Sequence, residues 1–208
     1  MKKAFFITGT DTGVGKTYTA CKLIHDYVAQ GHKVVGMKPV AAGCEFVDGE
    51  WVNDDVLKLT EAGNVVAPRE LINPYSFKAP IAPHIAAEQS GVEIKIEVIQ
   101  QAFNQLASMA DIVIVEGAGG FLVPLNHRQS MADLAAALDI PVILVVGMKL
   151  GCINHAMLTM EAIKARQLDL HGWIANQIEP GMAVYDENIA SITQKMGANC
   201  MANYPYSL

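Results

Sequence analysis

Short apolar runs that alternate with amphipathic segments limit the fold of this chain more than any other feature. The runs "KAFFIT", "KVVGMKPV", "DIVIVE" and "PVILVVG" carry apolar residues at consecutive positions, without polar alternation. Strands of this kind are typical of a parallel sheet that helices cover on both faces. The segments between them have helical periodicity, and the repetition predicts a doubly wound α/β fold. We expect a mainly parallel sheet of about seven strands.

The chain has 208 residues and 51% apolar composition, which predicts one domain over residues 1–208 with a sizeable core. The proline-bearing segments "APRELINP" and "NPYSFKAPIAPH" are interpreted as connectors within it. Helices are predicted at about 16–30, 54–62, 95–110, 130–139, 154–167 and 185–196.

Charge and composition favour a small-molecule partner. The formal net charge is −6 with acidic and basic residues interspersed, so no basic stripe indicates a nucleic acid or an anionic membrane. No segment approaches the roughly 20 apolar residues of a membrane span, and no cleavage-like site follows the first residues. We therefore expect a cytoplasmic protein. Its four cysteines show no C-x-x-C pair and are expected to be free thiols.

The segment "GTDTGVGKT", Gly9 to Thr17, follows the first strand and is called the phosphate loop below. A glycine-rich turn before a helix directs backbone N–H groups and the positive helix dipole at one point, which suits a phosphate. Lys16 would reach the β and γ oxygens, and the Thr17 hydroxyl would bind Mg²⁺. The usual pattern has glycine at the position of Thr10, whereas here the glycine lies one residue earlier. The alternative is a turn without a ligand, which the strand before it and the helix after it disfavour.

Other candidates follow the other strands, because ligands of open α/β sheets bind at the carboxyl ends of strands. Glu116 ends "DIVIVE" and precedes "GAGG", a position that suits a second Mg²⁺ contact; the alternative is a solvated acid. Asp55 begins a helix, where an acid is also ordinary. Lys38 would stabilise a transferring phosphate, or simply extend to solvent. After "PVILVVG", the helix start at Gly151 and Asn154 offers free amides to an anion such as a carboxylate.

The chain resembles dethiobiotin synthetase in an ordered series of motifs, which are "GTDT-VGKT", "KPV", "DD" before a short helix, "NPY", "APHI", "VEGAGG", "PVILVVG-KLGCINHAMLT" and "W-AN". The resemblance extends from about residue 3 to residue 176, which is most of the chain. It implies a P-loop NTPase fold, with ATP as co-substrate and Mg²⁺ as cofactor. In that family 7,8-diaminononanoate and CO₂ or bicarbonate give a carbamate, its oxygen takes the γ-phosphoryl group, and the second amine closes the ring.

The resemblance also implies roles for individual residues. Lys16, Lys38 and Thr12 would be catalytic, and Thr17, Asp55 and Glu116 would hold the Mg²⁺. Lys38 and Ala42 would face the substrate, whose carboxylate would bind Gly151, Cys152 and Asn154 of the partner chain in a homodimer. The nucleotide would contact Gly13, Val14, Gly15, Lys16, Thr17, Tyr18, Asp55, Glu116, Gly117, Ala118, Gly119, Asn176, Gln177, Pro205 and Tyr206.

The chain departs from the family pattern at three places. Ala42 stands where members often have a serine, and Gly13 where some carry an acid. Members usually continue past a proline-containing loop with an acid near the ribose, and no such acid follows Pro205 and Tyr206. Nucleotide selectivity is therefore the least certain expectation.

Two other functions fit the same loop. ATPases of the partition or nitrogenase-iron-protein type place a lysine five residues before the phosphate-loop lysine, where this chain has Asp11. A non-catalytic nucleotide-binding paralogue would be expected to lose Lys38 or Glu116, and both are present.

Overall fold

The structure is a computed structural model that describes residues 3–47 and 49–206. The strands are β1 (Lys3–Gly9), β2 (Val34–Met37), β3 (Val40–Ala42), β4 (Glu45–Val47), β5 (Glu50–Val52), β6 (Tyr75–Phe77), β7 (Ile112–Glu116), β8 (Val142–Met148), β9 (Leu170–Gln177) and β10 (Cys200–Tyr204). Six parallel strands form the central sheet, in the order β10-β9-β8-β1-β7-β2. Two small sheets pair β3 with β6 and β4 with β5.

Helices cover both faces of this sheet, which confirms the doubly wound prediction. The helices are α1 (Lys16–Ala29), α2 (Asp54–Ala62), α3 (Arg69–Ile72), α4 (Pro83–Gln89), α5 (Ile96–Met109), α6 (Met131–Leu138), α7 (Cys152–Ala165) and α8 (Tyr185–Met196). Successive residues of β1 alternate between the two layers: Phe5 and Ile7 pack with α1 and α2, and Phe6 packs with α5 and α6. Helices α7 and α8 lie on the same face of the sheet as α5 and α6.

The segments interpreted as connectors contain structure of their own, which corrects that prediction. "APRELINP" includes α3, and "NPYSFKAPIAPH" includes β6 and the start of α4. Elements this short give too few periods for a hydrophobic pattern to show. The central sheet has six strands against the expected seven or so. After β2 the chain leaves this sheet, and β3 pairs with β6 instead.

All six central strands are parallel, so their carboxyl ends lie at one edge of the sheet. The phosphate loop follows β1 at this edge, Lys38 follows β2, and Glu116 ends β7. Asn176 and Gln177 end β9 at the same edge. No helix in residues 3–47 and 49–206 is long and apolar enough to cross a membrane.

Candidate phosphate and metal site

The phosphate loop turns at two glycines with left-handed backbone conformation, Gly13 (φ 74°) and Gly15 (φ 88°). Val14 lies between them with its side chain buried, and α1 begins directly afterwards at Lys16. Lys16 is 6% exposed, and its ammonium group donates a hydrogen bond to the Asp11 carbonyl at 2.9 Å. The ammonium group of Lys16 therefore lies against the phosphate loop, the place where the sequence analysis predicted a phosphate-binding cation.

A buried ion cluster lies beside the loop. Lys38 Nζ is 2.5 Å from Glu116 Oε1 and 3.0 Å from Asp55 Oδ2. Thr17 Oγ1 donates to the same Glu116 oxygen at 2.9 Å. The structure thus brings together Thr17, Asp55 and Glu116, the three residues predicted to hold a metal, with Lys38 between the two carboxylates.

Burial decides two alternatives that the sequence left open. Lys38 is 5% exposed and Glu116 is 1% exposed. Lys38 therefore does not extend to solvent, and Glu116 is not a solvated acid at a strand end. Asp55 combines both of its interpretations, since it is in the first turn of α2 and also pairs with Lys38.

Two asparagines that the sequence did not single out hold this cluster in place. Asn73 is buried and donates from Nδ2 to the Lys38 carbonyl at 2.6 Å. Asn53 caps α2 by accepting from the Asp55 N–H at 3.1 Å, and it also donates to the Ala42 carbonyl at 3.2 Å. The available signal was an asparagine before a proline in "INPY" and one before two acids in "VNDD".

The charges of the cluster perturb one another. Burial lowers the pKa of Lys16 from 10.5 to about 8, and the nearby positive charge of Lys38 is the second cause of this shift. Burial also opposes the charge of Lys38, but Glu116 and Asp55 outweigh it and raise the Lys38 pKa. For Asp55, burial is again the largest influence, and the attraction of Lys38 reverses it so that the pKa is lowered. Strong perturbation of several neighbouring groups is typical of functional sites.

The donor set fits Mg²⁺ bound together with phosphate. Glu116 Oε2 is buried and has no hydrogen-bond partner among the described residues, so it is free to accept a cation. Mg²⁺ takes oxygen ligands and usually one or two carboxylates together with substrate phosphates. Residues 3–47 and 49–206 contain no group of three or more His, Cys, Asp or Glu residues that could hold a metal ion by themselves.

The predicted base-binding residues lie on the other side of the loop. Asn176 Nδ2 donates to the Val14 carbonyl at 2.9 Å. Gln177 Oε1 accepts from the Tyr206 N–H at 3.4 Å, which draws the segment of Pro205 and Tyr206 toward the end of β9. These side chains are half-buried or exposed, and none carries a charge.

The loop after β7 lies against the phosphate loop. A Cβ atom added to Gly119 would be 3.5 Å from Thr12 Oγ1, so the "GAGG" segment that includes Gly117 and Ala118 borders the predicted catalytic hydroxyl. Tyr18 is on the first turn of α1, 43% exposed, with its ring edge-on to Tyr204 at 5.3 Å between centroids.

The predicted carboxylate-binding residues are separate from the ion cluster. Gly151 and Asn154 are exposed at the start of α7, and in the described part of one chain neither has a hydrogen bond or ion pair to the cluster. The Cys152 side chain is buried in the core, and its N–H donates to the Lys149 carbonyl at 3.0 Å. Neither the thiol nor the N–H of Cys152 is therefore available to a ligand in this structure. The helix runs over Cys152–Ala165, slightly earlier than the predicted 154–167, and Gly151, which was placed at the helix start, adopts φ 91° and forms the cap.

Sequence comparison places this site in a known family. A family model described as an AAA domain matches residues 3–207. The chain is 55% identical over 206 residues to the ATP-dependent dethiobiotin synthetase of Nitrosospira multiformis, covering 99% of this chain and 89% of that protein. It is 51% identical to the corresponding synthetase of Aromatoleum aromaticum, covering 98% and 91%. The chain belongs to the dethiobiotin synthetase family.

Solved structures show how widely the dethiobiotin synthetase fold is shared. A ParA family ATPase from Chlorobium tepidum TLS superposes with a TM-score of 0.60 at 16% identity, covering 99% of this chain and 84% of that chain. At this identity the likeness concerns the fold alone. It explains why partition ATPases were the competing sequence interpretation, and Asp11 still stands where that class has its additional lysine.

Proposed function

We propose that this protein catalyses the ATP-dependent ring closure of 7,8-diaminononanoate with CO₂ or bicarbonate to dethiobiotin, a step of biotin biosynthesis. The observation that carries the proposal is the buried cluster of Lys38, Glu116 and Asp55 beside the phosphate loop, in a chain 55% identical to a dethiobiotin synthetase. A cytoplasmic location is part of the proposal, since ATP is a substrate.

The proposed reaction brings two anions together. One amine of the diamine first forms a carbamate with CO₂ and releases a proton. The carbamate oxygen then forms a bond to the γ-phosphorus of ATP as the bond to the ADP oxygen breaks. The second amine attacks the carbonyl carbon of this mixed anhydride, loses a proton and expels inorganic phosphate, which closes the ring.

Lys16 and Lys38 are the residues suited to the phosphoryl-transfer step. Approach of a carbamate to a triphosphate requires that negative charge be neutralised, and fixed cations in a water-poor site do this most strongly. Both ammonium groups are almost fully buried and are already held by neighbouring groups. Thr12, exposed on the loop beside Gly119, is proposed to contact the carbamate.

Thr17, Asp55 and Glu116 would hold the Mg²⁺. When bound, the ion would neutralise charge on the β- and γ-phosphate oxygens. Lys38 pairs with both carboxylates in this structure, so its ammonium group would have to share them with the ion. The proposed use of Mg²⁺ therefore includes an adjustment of the Lys38 side chain toward the phosphate.

We also propose a homodimer that places Gly151 and Asn154 of one chain at the other chain's site. The support is that these residues are exposed and separate from the ion cluster within one chain, next to Leu150, which is 97% exposed. Mixing Lys16→Ala chains with Gly151→Glu chains under exchange conditions should regenerate one working site per mixed dimer. Mixtures that stay as inactive as each variant alone would place the carboxylate contact within one subunit.

The direct test is an assay of phosphate release with purified protein, Mg²⁺, ATP and bicarbonate, with and without 7,8-diaminononanoate. Release that requires the diamine, with dethiobiotin formed in equal amount, supports the proposal. Release that is independent of the diamine would instead favour an ATPase of the partition type. Nucleotide binding without any release would favour the non-catalytic paralogue.

A further inference from the structure

Asn176, which the sequence analysis assigned to the base, contacts the phosphate loop itself. Its side-chain Nδ2 donates to the Val14 carbonyl at 2.9 Å, across 162 residues of sequence. Asn176 is fixed on both sides by strand pairing, with Gly147 of β8 and with Tyr204 of β10. An amide supplied by a central strand is a more rigid anchor than one supplied by a loop.

This contact determines which way one loop amide points. The peptide unit is planar and trans, so the Val14 carbonyl and the Gly15 N–H point in opposite directions. By holding the carbonyl, Asn176 directs the Gly15 N–H away from itself. No described residue accepts a hydrogen bond from that N–H. The unit lies between two left-handed glycines, where the backbone would otherwise be free to rotate.

The fit between Asn176 and Gly15 is close. A Cβ atom added to Gly15 would be 2.1 Å from Asn176 Nδ2, so a side chain at that position would displace the amide. Val14 secures the same turn from the other side, because its side chain fills the space where Cβ atoms on Gly9 and Gly147 would be, at 2.6 and 2.7 Å. The loop is thus held by the packing of the Val14 side chain and by the hydrogen bond from Asn176.

We infer that Asn176 is a positioning residue for the phosphate loop, which sets the orientation of the Gly15 N–H toward the polyphosphate in addition to any contact with the base. The inference rests on the proposed use of ATP. It couples base recognition to phosphate binding through a single side chain.

Inorganic tripolyphosphate separates the two roles, because it has no base and no ribose. We expect Asn176→Ala to weaken binding of Mg²⁺-tripolyphosphate and of Mg²⁺-ATP each by about fivefold or more, the effect of losing one neutral hydrogen bond. Titration calorimetry with the full-length protein measures both. If ATP binding weakens while tripolyphosphate binding is unchanged, or if neither changes, Asn176 does not position the loop.

Two further variants keep the test decisive. Asn176→Leu retains the branched shape without a donor or a charge, and it should weaken tripolyphosphate binding as the alanine variant does, even if the alanine variant is unstable. Gln177→Ala is the matched control at the end of the same strand, because its amide contacts Glu179 and Tyr206 and not the loop. It should weaken ATP binding only. Equal loss of tripolyphosphate binding in Gln177→Ala would show a general loosening of β9 and overturn the inference.

The kinetic signature also differs between the roles. A positioning residue misplaces the γ-phosphate when it is lost, so kcat should fall together with a rise in the KM for ATP. A residue that only reads the base would raise KM alone. Tripolyphosphate binding does not depend on the diamine, so failure of the ring-closure assay would refute the proposed function and leave this measurement interpretable.

Discussion

The two sides of the phosphate loop differ in the charge and the burial of the side chains that lie there. On the side of β2 and β7, Lys38 and Glu116 form an ion pair that is 5% and 1% exposed. On the side of β9 and β10, the contacts come from neutral amides and from Tyr206, which is 39% exposed. Buried charges interact strongly and are costly to leave unpaired, whereas neutral, partly hydrated contacts contribute little each. We therefore expect chemistry to depend on the first side and base preference on the second.

The largest effect should come from Lys38→Ala. It removes the buried cation that we propose to lie next to the transferring phosphate, and loss of one such electrostatic stabiliser typically lowers turnover by about 10²-fold or more. It also leaves Glu116 buried without its partner, which we expect to lower the free energy of unfolding by about 3 kcal/mol. Steady-state kinetics and chemical denaturation measure the two effects.

Lys58 provides the matched control for that variant. It pairs with Asp54 at the surface, with side chains 56% and 76% exposed, one turn along the helix that carries Asp55. Lys58→Ala should change turnover little and stability by about 0.5 kcal/mol or less. A Lys38→Ala enzyme with normal turnover would remove the functional distinction between the two sides of the loop.

Glu116→Gln should give the second-largest effect. The substitution keeps the shape of the side chain and removes the charge that we propose for Mg²⁺ binding, so the Mg²⁺ concentration at half-maximal activity should rise more than tenfold. Asp54→Asn, next to Asp55 but exposed, should leave it unchanged. A melting temperature that collapses in Glu116→Gln, with unchanged Mg²⁺ dependence, would make Glu116 a structural residue.

The features that could be predicted from the sequence are those that depend on residues close together in the chain. The phosphate loop and the helix at 54–62 were predicted well, because glycines, caps and helical periodicity are local signals. The Lys38–Glu116 pair joins residues 78 positions apart. It forms only because β2 and β7 are neighbours in the sheet, which no spacing reveals.

The burial of charged residues at the edge of the sheet could not be predicted from local sequence patterns either. Lys38 remained ambiguous because its environment is built partly by Asn73, which holds its carbonyl from a segment interpreted as a connector. The helix predicted at about 154–167 runs over Cys152–Ala165, because the left-handed Gly151, placed at the helix start from the sequence, is the cap and the helix begins at the next residue. Most of the architecture was therefore predictable, whereas the buried or solvent-exposed state of a charge was not.

A third prediction concerns the ionisation of Lys16. Its pKa of about 8 in the ligand-free protein lies below the ordinary 10.5, and a bound polyphosphate should raise it again. Binding of Mg²⁺-ATP at pH 8 should therefore take up about half a proton per site, and affinity should fall as the pH rises above 8. Calorimetry in two buffers of different ionisation enthalpy measures the uptake.

The sign of the accompanying stability change follows from the same pKa. Between pH 8 and pH 10.5 the unfolded chain holds the Lys16 proton more tightly than the folded one, so the contribution of Lys16 to stability rises with pH over that window. Lys16→Arg, which stays charged, should abolish the proton uptake. Unchanged uptake in that variant would assign the proton to another group.

The smallest effect should come from the base side. A neutral hydrogen bond contributes about 1 kcal/mol, and 1.4 kcal/mol corresponds to one decade of selectivity. The described base-side contacts are few, neutral and partly exposed, so we expect kcat/KM to favour ATP over GTP and CTP by about tenfold or less.

Gln177→Ala should reduce that preference by about threefold, since it releases the Tyr206 segment. Gln194→Ala, exposed on α8, is the control and should leave it unchanged. A thousandfold preference for ATP in the wild-type enzyme would require strong polar contacts to the base, and the base side would then equal the ion cluster in energetic weight.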